Sequence, residues 1–382
     1  MEASKSTRNG GRTALVLTGG GARAAYQVGF LRCLARHLPE ARLPIITGVS
    51  AGAINAVFLG ARRGSLAEAT DGLHDLWRSL SPASIYRVGG FALGRNILRW
   101  GYRLFTGGGR RGPGARALLD PEPLRRLLAT ALTTIDGEIQ GIDDNLESGR
   151  LEALALTTLN YTTSRTVTWV HGHDFEPWER PRRAGIASRL TIDHVMATSA
   201  LPLVFPAVRM GGNYHGDGGI RLSAPLAPAV QLGADRILAI STRYRRSTEE
   251  ARAELVSGYP PPAQVVGNLM NAIFLDAFDR DARTLQRINE LLTNCPDHRT
   301  DLRPIDILVL RPSRDLGRLA GEYETRLPRA FRFLTRGLGT RQTRSPDFLS
   351  LLMFQQDYIG RLIEIGEEDA EARRDEITAL LT

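Results

Sequence analysis

The sequence has little cysteine, almost no lysine and no long apolar run. Only 2 of its 382 residues are cysteines, Cys33 and Cys295, too few for a disulfide framework or a zinc cluster of cysteines. A chain of this length buries a sufficient core without such links, so we expect both to be core thiols. No stretch approaches the roughly 18 apolar residues of a membrane span, and no signal-type apolar run opens the chain. These absences predict a cytoplasmic globular protein.

Acidic residues are missing from one segment of the chain. Between Leu76 and Leu119 there is no Asp or Glu but there are eight arginines, which equals the whole net charge of +8. Such a concentration predicts an anionic partner, for example phosphate or a membrane surface. No nucleic-acid-binding motif accompanies the charge, so nucleic acid is not expected as a partner.

Part of this basic segment has helical spacing. Arg95, Arg99 and Arg103 recur at every fourth position, and Trp100 lies on the opposite, apolar side of the same predicted helix. One interpretation is an interfacial helix whose arginines and Trp100 contact membrane headgroups and acyl chains, which would make the protein peripheral to a membrane. The other is a cap helix that packs its apolar side on the core, because amphipathicity is common to surface helices.

The first sixty residues repeat a strand, a glycine-containing turn and a helix. The pattern predicts strands over 13–18 and 43–47, turns at Gly19–Gly21 and at Ser50, and helices over 22–38 and up to about residue 62. Two such units in succession predict parallel strands joined by right-handed crossovers. The two turns should therefore meet at the carboxyl edge of one sheet, where α/β folds place their sites.

The rest of the chain predicts a cap and a helical extension around this sheet. We expect a flexible tail over 1–12, a catalytic domain over 13–243 with a cap insertion at about 66–132, and a mainly helical extension over 244–382. Further strands are predicted over 154–159 and 165–170 as a hairpin, and over 236–242 and 305–310, with a turn over 214–219. Further helices are predicted over 66–80, 95–105, 121–132, 192–199, 224–232, 263–292, 323–337 and 346–368.

The pentapeptide Gly48 to Gly52 has the pattern of a nucleophile elbow. Its context, a strand before and a helix after, is what that motif requires, because the serine occupies a strained turn where neighbouring backbone leaves no room for side chains. Ser50 is then a candidate nucleophile at a helix N-terminus. The alternative is an ordinary turn of small residues in which Ser50 caps the helix.

A serine nucleophile needs a base, and no histidine after Ser50 stands in an obvious catalytic setting. The candidate base is Asp217, which lies in the glycine-bracketed sequence Gly-Asp-Gly-Gly, where burial can raise the carboxyl pKa toward that of a general base. The alternative is a turn aspartate that caps its own backbone.

The glycines Gly19–Gly21 open the first helix and offer a nest of N–H donors for a phosphate or for an oxyanion. The dinucleotide fingerprint Gly19-x-Gly21-x-x-Ala24 is also present, but no acidic residue ends the second strand as that fingerprint requires. We therefore interpret the glycine turn, together with Arg23, as an oxyanion hole.

These three motifs together resemble the patatin-like phospholipase family, over roughly residues 13–242. The resemblance implies a three-layer α/β/α sandwich with a mostly parallel sheet, a Ser–Asp dyad, no catalytic histidine, and no metal or cofactor. It makes Ser50 the nucleophile and Asp217 the base. It places the oxyanion hole at Gly19, Gly20, Gly21 and Ala22, and it assigns support of the turns to Gly48, Gly52, Gly218 and Gly219. Ala24, where relatives often have glycine, and His215-Gly216 before Asp217 depart from the family pattern.

The function we expect is hydrolysis of phospholipids or other lipid esters through an acyl-enzyme. One alternative is a transacylase that passes the acyl group from the same dyad to an acceptor other than water. The other is a binding protein for phosphate or membranes in which Ser50 is inert.

Overall fold

The computed structural model describes residues 11–87, 117–173, 175–256, 258–274, 276–294, 300–327, 332, 340 and 346–382. The strands in these ranges are β1 Thr13–Leu17, β2 Ile45–Gly48, β3 Thr134–Ile135, β4 Glu138–Ile139, β5 Ala153–Asn160, β6 Arg165–Gly172, β7 Trp178–Arg180, β8 Arg183–Ala187, β9 Val208–Met210, β10 Asn213–Asp217, β11 Arg236–Ile240 and β12 Asp306–Leu310.

The helices come mostly before β5 and after β10. They are α1 Ala25–His37, α2 Ala51–Ala61, α3 Leu66–Ser79, α4 Pro82–Ile85, α5 Glu122–Ala131, α6 Ile142–Glu147, α7 Ile192–Thr198, α8 Ala227–Gln231, α9 Thr248–Arg252, α10 Pro262–Phe274, α11 Asp276–Asn294, α12 Leu316–Tyr323, α13 Asp347–Leu352, α14 Gln356–Ala372 and α15 Arg374–Leu381. Short 3-10 turns occur at Gly21–Ala24, Gly218–Arg221 and Glu324–Arg326.

One large sheet organises the molecule, in the order β12-β11-β1-β2-β5-β6-β8-β7. The five strands from β12 to β5 are mutually parallel, and β6 turns back antiparallel on β5 as the predicted hairpin. Alternate residues of β1 enter different cores, Leu15 and Leu17 on one side and Ala14 and Val16 on the other. Because side chains alternate along a strand, both faces of the sheet are covered, as parallel sheets require. The predicted three-layer α/β/α sandwich is confirmed.

The C-terminal part of the chain adds to this sheet and packs closely on its helices. Strand β12 lies beside β11 at the edge of the sheet, and α14 runs along α1. A Cβ on Gly29 of α1 would lie 1.9 Å from the carbonyl oxygen of Ile363, and one on Gly366 of α14 would lie 2.1 Å from that of Tyr26. The two glycines thus let the helix backbones touch, and buried side chains before and after residue 243 share one core.

Several predicted elements differ from the observed ones. The segment predicted as a turn over 214–219 is mostly strand β10, because Gly216 and Asp217 pair with Leu159 and Thr158 along a free edge of β5. The helix predicted over 346–368 is interrupted at 353–355. Met353 and Phe354 at the interruption are buried. Burying these two apolar side chains therefore stabilises the chain more than continuing the helix would.

Other differences concern helix ends. The helix predicted over 263–292 is two helices, α10 and α11, and the one predicted over 224–232 shrinks to α8, which has Pro228 in its first turn. Helices α12 and α15 were not predicted, and most of the predicted helix over 323–337 lies outside the described residues. Arg12, at the end of the predicted tail, donates its backbone N–H to Asp235 Oδ2 at 2.8 Å, whereas residues 1–10 are outside the described ranges.

Cys33 is buried, as expected for a core thiol, and Cys295 is outside the described residues. Within the ranges given above, no helix combines the length and the apolar character that crossing a membrane requires.

Candidate active site

Ser50 occupies a strained turn between β2 and α2. Its backbone has φ 55° and ψ −135°, a conformation that side-chain-bearing residues rarely adopt and that concentrates at functional sites. Glycine is required on both sides of this serine. A Cβ at Gly48 would lie 2.7 Å from Ala53 Cα, and one at Gly52 would lie 2.5 Å from the carbonyl oxygens of Leu17 and Thr18. The chain therefore has the strand, turn and helix geometry of a nucleophile elbow.

Strand β5 brings Asp217 to this elbow. Gly48 at the end of β2 pairs with Leu156, and beyond that point the same edge of β5 is taken over by β10, where Asp217 pairs with Thr158. Leu156 and Thr158 are about 7 Å apart along the strand. Asp217 and Ser50 thus lie close together in the fold although they are 167 residues apart in the sequence.

The Asp217 carboxyl group is completely buried. Gly219 donates its N–H to Oδ1 at 2.9 Å, whereas Oδ2 has no hydrogen-bond partner within 3.5 Å in the described part of the chain. Burial raises the pKa of Asp217 to about 7, and the nearby Ser50 hydroxyl and the Gly219 N–H oppose that rise. A carboxyl group with this pKa holds and releases a proton near neutral pH, as a general base must.

The end of α7 and the residues that follow it join the two halves of this pair, and our sequence analysis assigned them no role. Thr198 Oγ1 accepts the Ser50 N–H at 3.0 Å and donates to the Thr157 carbonyl at 2.5 Å. Ser199 Oγ donates to the Ser50 carbonyl at 3.3 Å, and the Asp217 N–H donates to the Ala200 carbonyl. Thr198, Ser199 and Ala200 belong to the run Ala-Thr-Ser-Ala-Leu-Pro at residues 197–202, which lies outside the three motifs of our sequence analysis.

The glycine turn lies beside Ser50. A Cβ at Gly19 would lie 2.9 Å from Ser50 Cβ, and Gly20 and Gly21 line the same pocket as Ser50. Thr242 Oγ1 donates to the Gly19 carbonyl at 2.7 Å, and the Gly20 carbonyl accepts the Arg23 N–H. Because C=O and N–H point in opposite directions across a trans peptide, the Gly20 and Gly21 N–H groups face away from these bonds.

Ala22 and Ala51 differ from what we expected of the oxyanion hole. Ala22, the fourth predicted donor, is fully buried and does not line the pocket. Ala51, which was not predicted, follows the serine, begins α2 and lines the pocket. The rule that the residue after an elbow nucleophile supplies an oxyanion donor could have identified it.

Arg23 is not part of this donor set, contrary to our expectation. Its side chain is buried and turns away from Ser50 toward α13, where Nε donates to Ser350 Oγ and Nη2 donates to Asp347 Oδ1, both at 2.6 Å. A buried guanidinium needs a carboxylate partner, and Asp347 provides it. The predicted supporting Gly218 has a packing role, since a Cβ there would lie 2.2 Å from the Thr157 carbonyl oxygen.

An apolar pocket opens from Ser50. It is bounded by the glycine turn, by α3 and α5 of the predicted cap, and by the end of α13 and the residues that follow it. Its lining side chains beyond the serine are almost all hydrocarbon, namely Ile54, Leu76, Trp77, Leu80, Ile85, Leu124, Leu127, Leu128, Leu201, Phe205, Leu351, Leu352 and Phe354. Such a lining suits an acyl chain.

Three histidines, His171, His194 and His215, are buried in the structure. His215 contacts Thr158 Oγ1 at 3.1 Å, and His171 contacts Asp143. Burial lowers the pKa of His194 to about 4 and also lowers that of His215. His194 is therefore neutral at pH 7.

The remaining predictions concern membranes and metals. Arg95, Arg99, Arg103 and Trp100 lie outside the described residues. Cys33, His37 and Glu371 have potential ligand atoms within 4.8 Å of one another. Cys33 and His37 lie in the last five residues of α1, about 12 and 18 Å along the helix from its start, and Glu371 lies in the last turn of α14, so this group contributes nothing at Ser50.

One family of known proteins matches more than half of the chain. The family model described as patatin-like phospholipase matches residues 15–230, and no curated protein matches the chain. Among solved structures, VipD from Legionella pneumophila is similar at 14% identity and a TM-score of 0.40, over 96% of this chain and 67% of its own. Human GIVD cytosolic phospholipase A2, solved with methyl gamma-linolenyl fluorophosphonate, is similar at 14% identity and a TM-score of 0.46. That match covers all of this chain, which spans 60% of the human chain.

Proposed function

The chain belongs to the patatin-like phospholipase family, and from this premise we propose that it is a serine acyl hydrolase of lipid esters acting through Ser50 and Asp217. One observation carries the proposal. A serine in a strained elbow stands at the mouth of an apolar pocket beside a fully buried carboxyl group whose pKa is about 7.

In the first step Ser50 Oγ attacks the ester carbonyl while its proton passes to Asp217 Oδ2. That oxygen is the available acceptor, because Gly219 already occupies Oδ1. The carboxylate thus acts directly on the serine, without an intervening histidine. The neutral Asp217 carboxyl then returns the proton to the departing alcohol, and an acyl-Ser50 ester remains.

The negative charge that develops on the carbonyl oxygen needs donors that are already in place. We assign this role to the N–H groups of Gly20, Gly21 and Ala51, whose residues line the pocket with Ser50. The N-terminus of α2 adds its dipole. Donors fixed before the reaction cost no reorganisation in the transition state.

Water then resolves the acyl-enzyme with Asp217 again as base, and the fatty acid leaves. The substrates we propose are phospholipids or other lipid esters, whose acyl chains match the apolar lining of the pocket. No step requires a metal or an organic cofactor.

The test is release of fatty acid from mixed phospholipid vesicles by the wild type, Ser50→Ala and Asp217→Asn, with Ser313→Ala, at an exposed serine, as a matched control. We expect the two active-site variants to fold and to lose at least about a thousandfold in rate, in line with loss of a nucleophile or its base. Retained turnover in either variant contradicts the dyad. Transfer of the acyl group to an added lipid alcohol in place of water identifies a transacylase, and an inert folded wild type favours the binding protein.

We also propose that the basic segment around Arg95, Arg99 and Arg103 attaches the enzyme to anionic membranes. Replacing these three arginines by glutamine should weaken binding to anionic vesicles and reduce its salt dependence. A matched control replaces three exposed arginines of α11, at positions 280, 283 and 287. Equal binding by the two triple variants contradicts the proposal.

A further inference from the structure

The pocket at Ser50 is completed by residues far beyond the end of the family match at residue 230. Leu351, Leu352 and Phe354, which end α13 and follow it, line the pocket. The contact with the glycine turn is direct, because a Cβ at Gly21 would lie 2.1 Å from the Leu351 carbonyl oxygen. The C-terminal part is therefore a wall of the candidate active site.

A buried ion pair fixes this wall in place. Arg23 Nη2 and Asp347 Oδ1 are 2.6 Å apart, with 4% and 12% of their side chains exposed. Asn271 Nδ2 donates to the other carboxylate oxygen at 2.7 Å, and Ser350 Oγ accepts from Arg23 Nε. Separating such a pair would leave two uncompensated buried charges. The ion pair therefore holds α13 to the glycine turn.

Phe354 lines the pocket and packs against two other aromatic rings. Its ring is 6.3 Å from that of Trp77, nearly parallel, and 6.5 Å from that of Tyr86, edge to face. Trp77 and Tyr86 are 1% and 0% exposed, so the side of the Phe354 ring that they cover is shielded from solvent. Hydrogen bonds anchor both rings, from Trp77 Nε1 to Asn55 Oδ1 and from the Tyr86 hydroxyl to the Leu352 carbonyl. Of the three rings, only Phe354 is held by packing alone in the contacts described.

We propose that Phe354 is a specificity-determining residue that limits the length of the acyl chain the enzyme accepts. The proposal rests on the proposed acyl hydrolase function. The acyl chain extends from Ser50 along the leucines of the pocket and ends against the Phe354 ring. Because this residue lies outside the matched domain, the chain-length limit belongs to the C-terminal part of this protein.

The test compares kcat/KM for p-nitrophenyl esters of linear acids from 4 to 18 carbons. The variants are Phe354→Ala and the milder Phe354→Leu. The control is Phe278→Ala, which removes another buried ring, from the core on the other face of the sheet. One methylene in an apolar pocket changes kcat/KM by about tenfold or more. We therefore expect kcat/KM for the first ester that the wild type rejects to rise about tenfold in Phe354→Ala, relative to its best ester. Phe354→Leu should show a smaller rise.

The outcomes separate this inference from the function on which it rests. An unchanged chain-length profile in active Phe354→Ala or Phe354→Leu, or the same shift in Phe278→Ala, contradicts the role of Phe354 alone. If the alanine variant does not fold, Phe354→Leu decides. A folded wild type that hydrolyses none of the esters and releases no fatty acid from vesicles overturns the acyl hydrolase assignment and this inference together.

Discussion

Replacing Asp217 by asparagine should make the protein more stable at alkaline pH while abolishing its activity. Asp217 is fully buried, and burial raises its pKa from 3.8 to about 7. Between these values the unfolded chain has lost the carboxyl proton and the folded protein keeps it. The folded state therefore binds more protons, and this group lowers the free energy of unfolding as pH rises. Above pH 7 the full cost is about 4 kcal/mol.

The size of the effect can be measured as a difference between variants. From pH 5 to pH 8.5 the wild type should lose about 2.5 kcal/mol more stability than Asp217→Asn, since the amide does not titrate. The assay is urea unfolding of both proteins at the two pH values, with linear extrapolation to water. The control is Asp375→Asn, which makes the same chemical change on a side chain that is 97% exposed. A parallel loss of stability in the wild type and Asp217→Asn would refute the argument that a buried, hard-to-ionise carboxyl group lies here.

The other predictions concern residues that hold the site together. Thr198→Val leaves the Ser50 N–H without its acceptor. The loss of this buried hydrogen bond, about 1–3 kcal/mol, should lower kcat roughly 5- to 150-fold with little change in KM. An unaltered kcat contradicts this positioning role. Gly52→Ala should prevent folding or lower the free energy of unfolding in urea by more than about 3 kcal/mol, because its methyl group would lie 2.5 Å from two backbone carbonyl oxygens. A stable, active variant would show that the elbow can relax. Arg23→Met and Asp347→Leu should each lower the free energy of unfolding by about 3–5 kcal/mol, and the double variant should lower it by less than either, because one unpaired buried charge is less stable than no buried charge. Additive losses would show that the pair is not coupled.

The sequence was most informative where one local feature determines the structure. Gly48 and Gly52 predict the strained turn at Ser50, because only glycine fits positions where a Cβ atom would lie within 3 Å of neighbouring backbone atoms. The alternation of the first two strands with helices predicts parallel neighbours, and β1 and β2 are paired in that way. The assignments of Ser50 and Asp217 to catalysis remain predictions until variants are measured.

The sequence was less informative where distant parts of the chain meet. Nothing local to Asp217 shows that its segment is a strand, because its partner is the edge of β5 left free beyond the end of β2. Arg23 similarly belongs to a glycine motif in sequence but to a buried ion pair with Asp347 in space. Phe354 lies where a helix was expected to continue, and its role in the pocket follows only from packing against Trp77.

The central claim is that Ser50 is a nucleophile activated by Asp217, and its most direct test is the rate of covalent labelling by a fluorophosphonate as a function of pH. We expect mass spectrometry to place a single adduct on Ser50, and the rate to rise with a midpoint near pH 7, where the Asp217 carboxyl group loses its proton. Asp217→Asn should label far more slowly and without that midpoint. An adduct at another residue, or equal labelling of wild type and Asp217→Asn at every pH, contradicts the dyad.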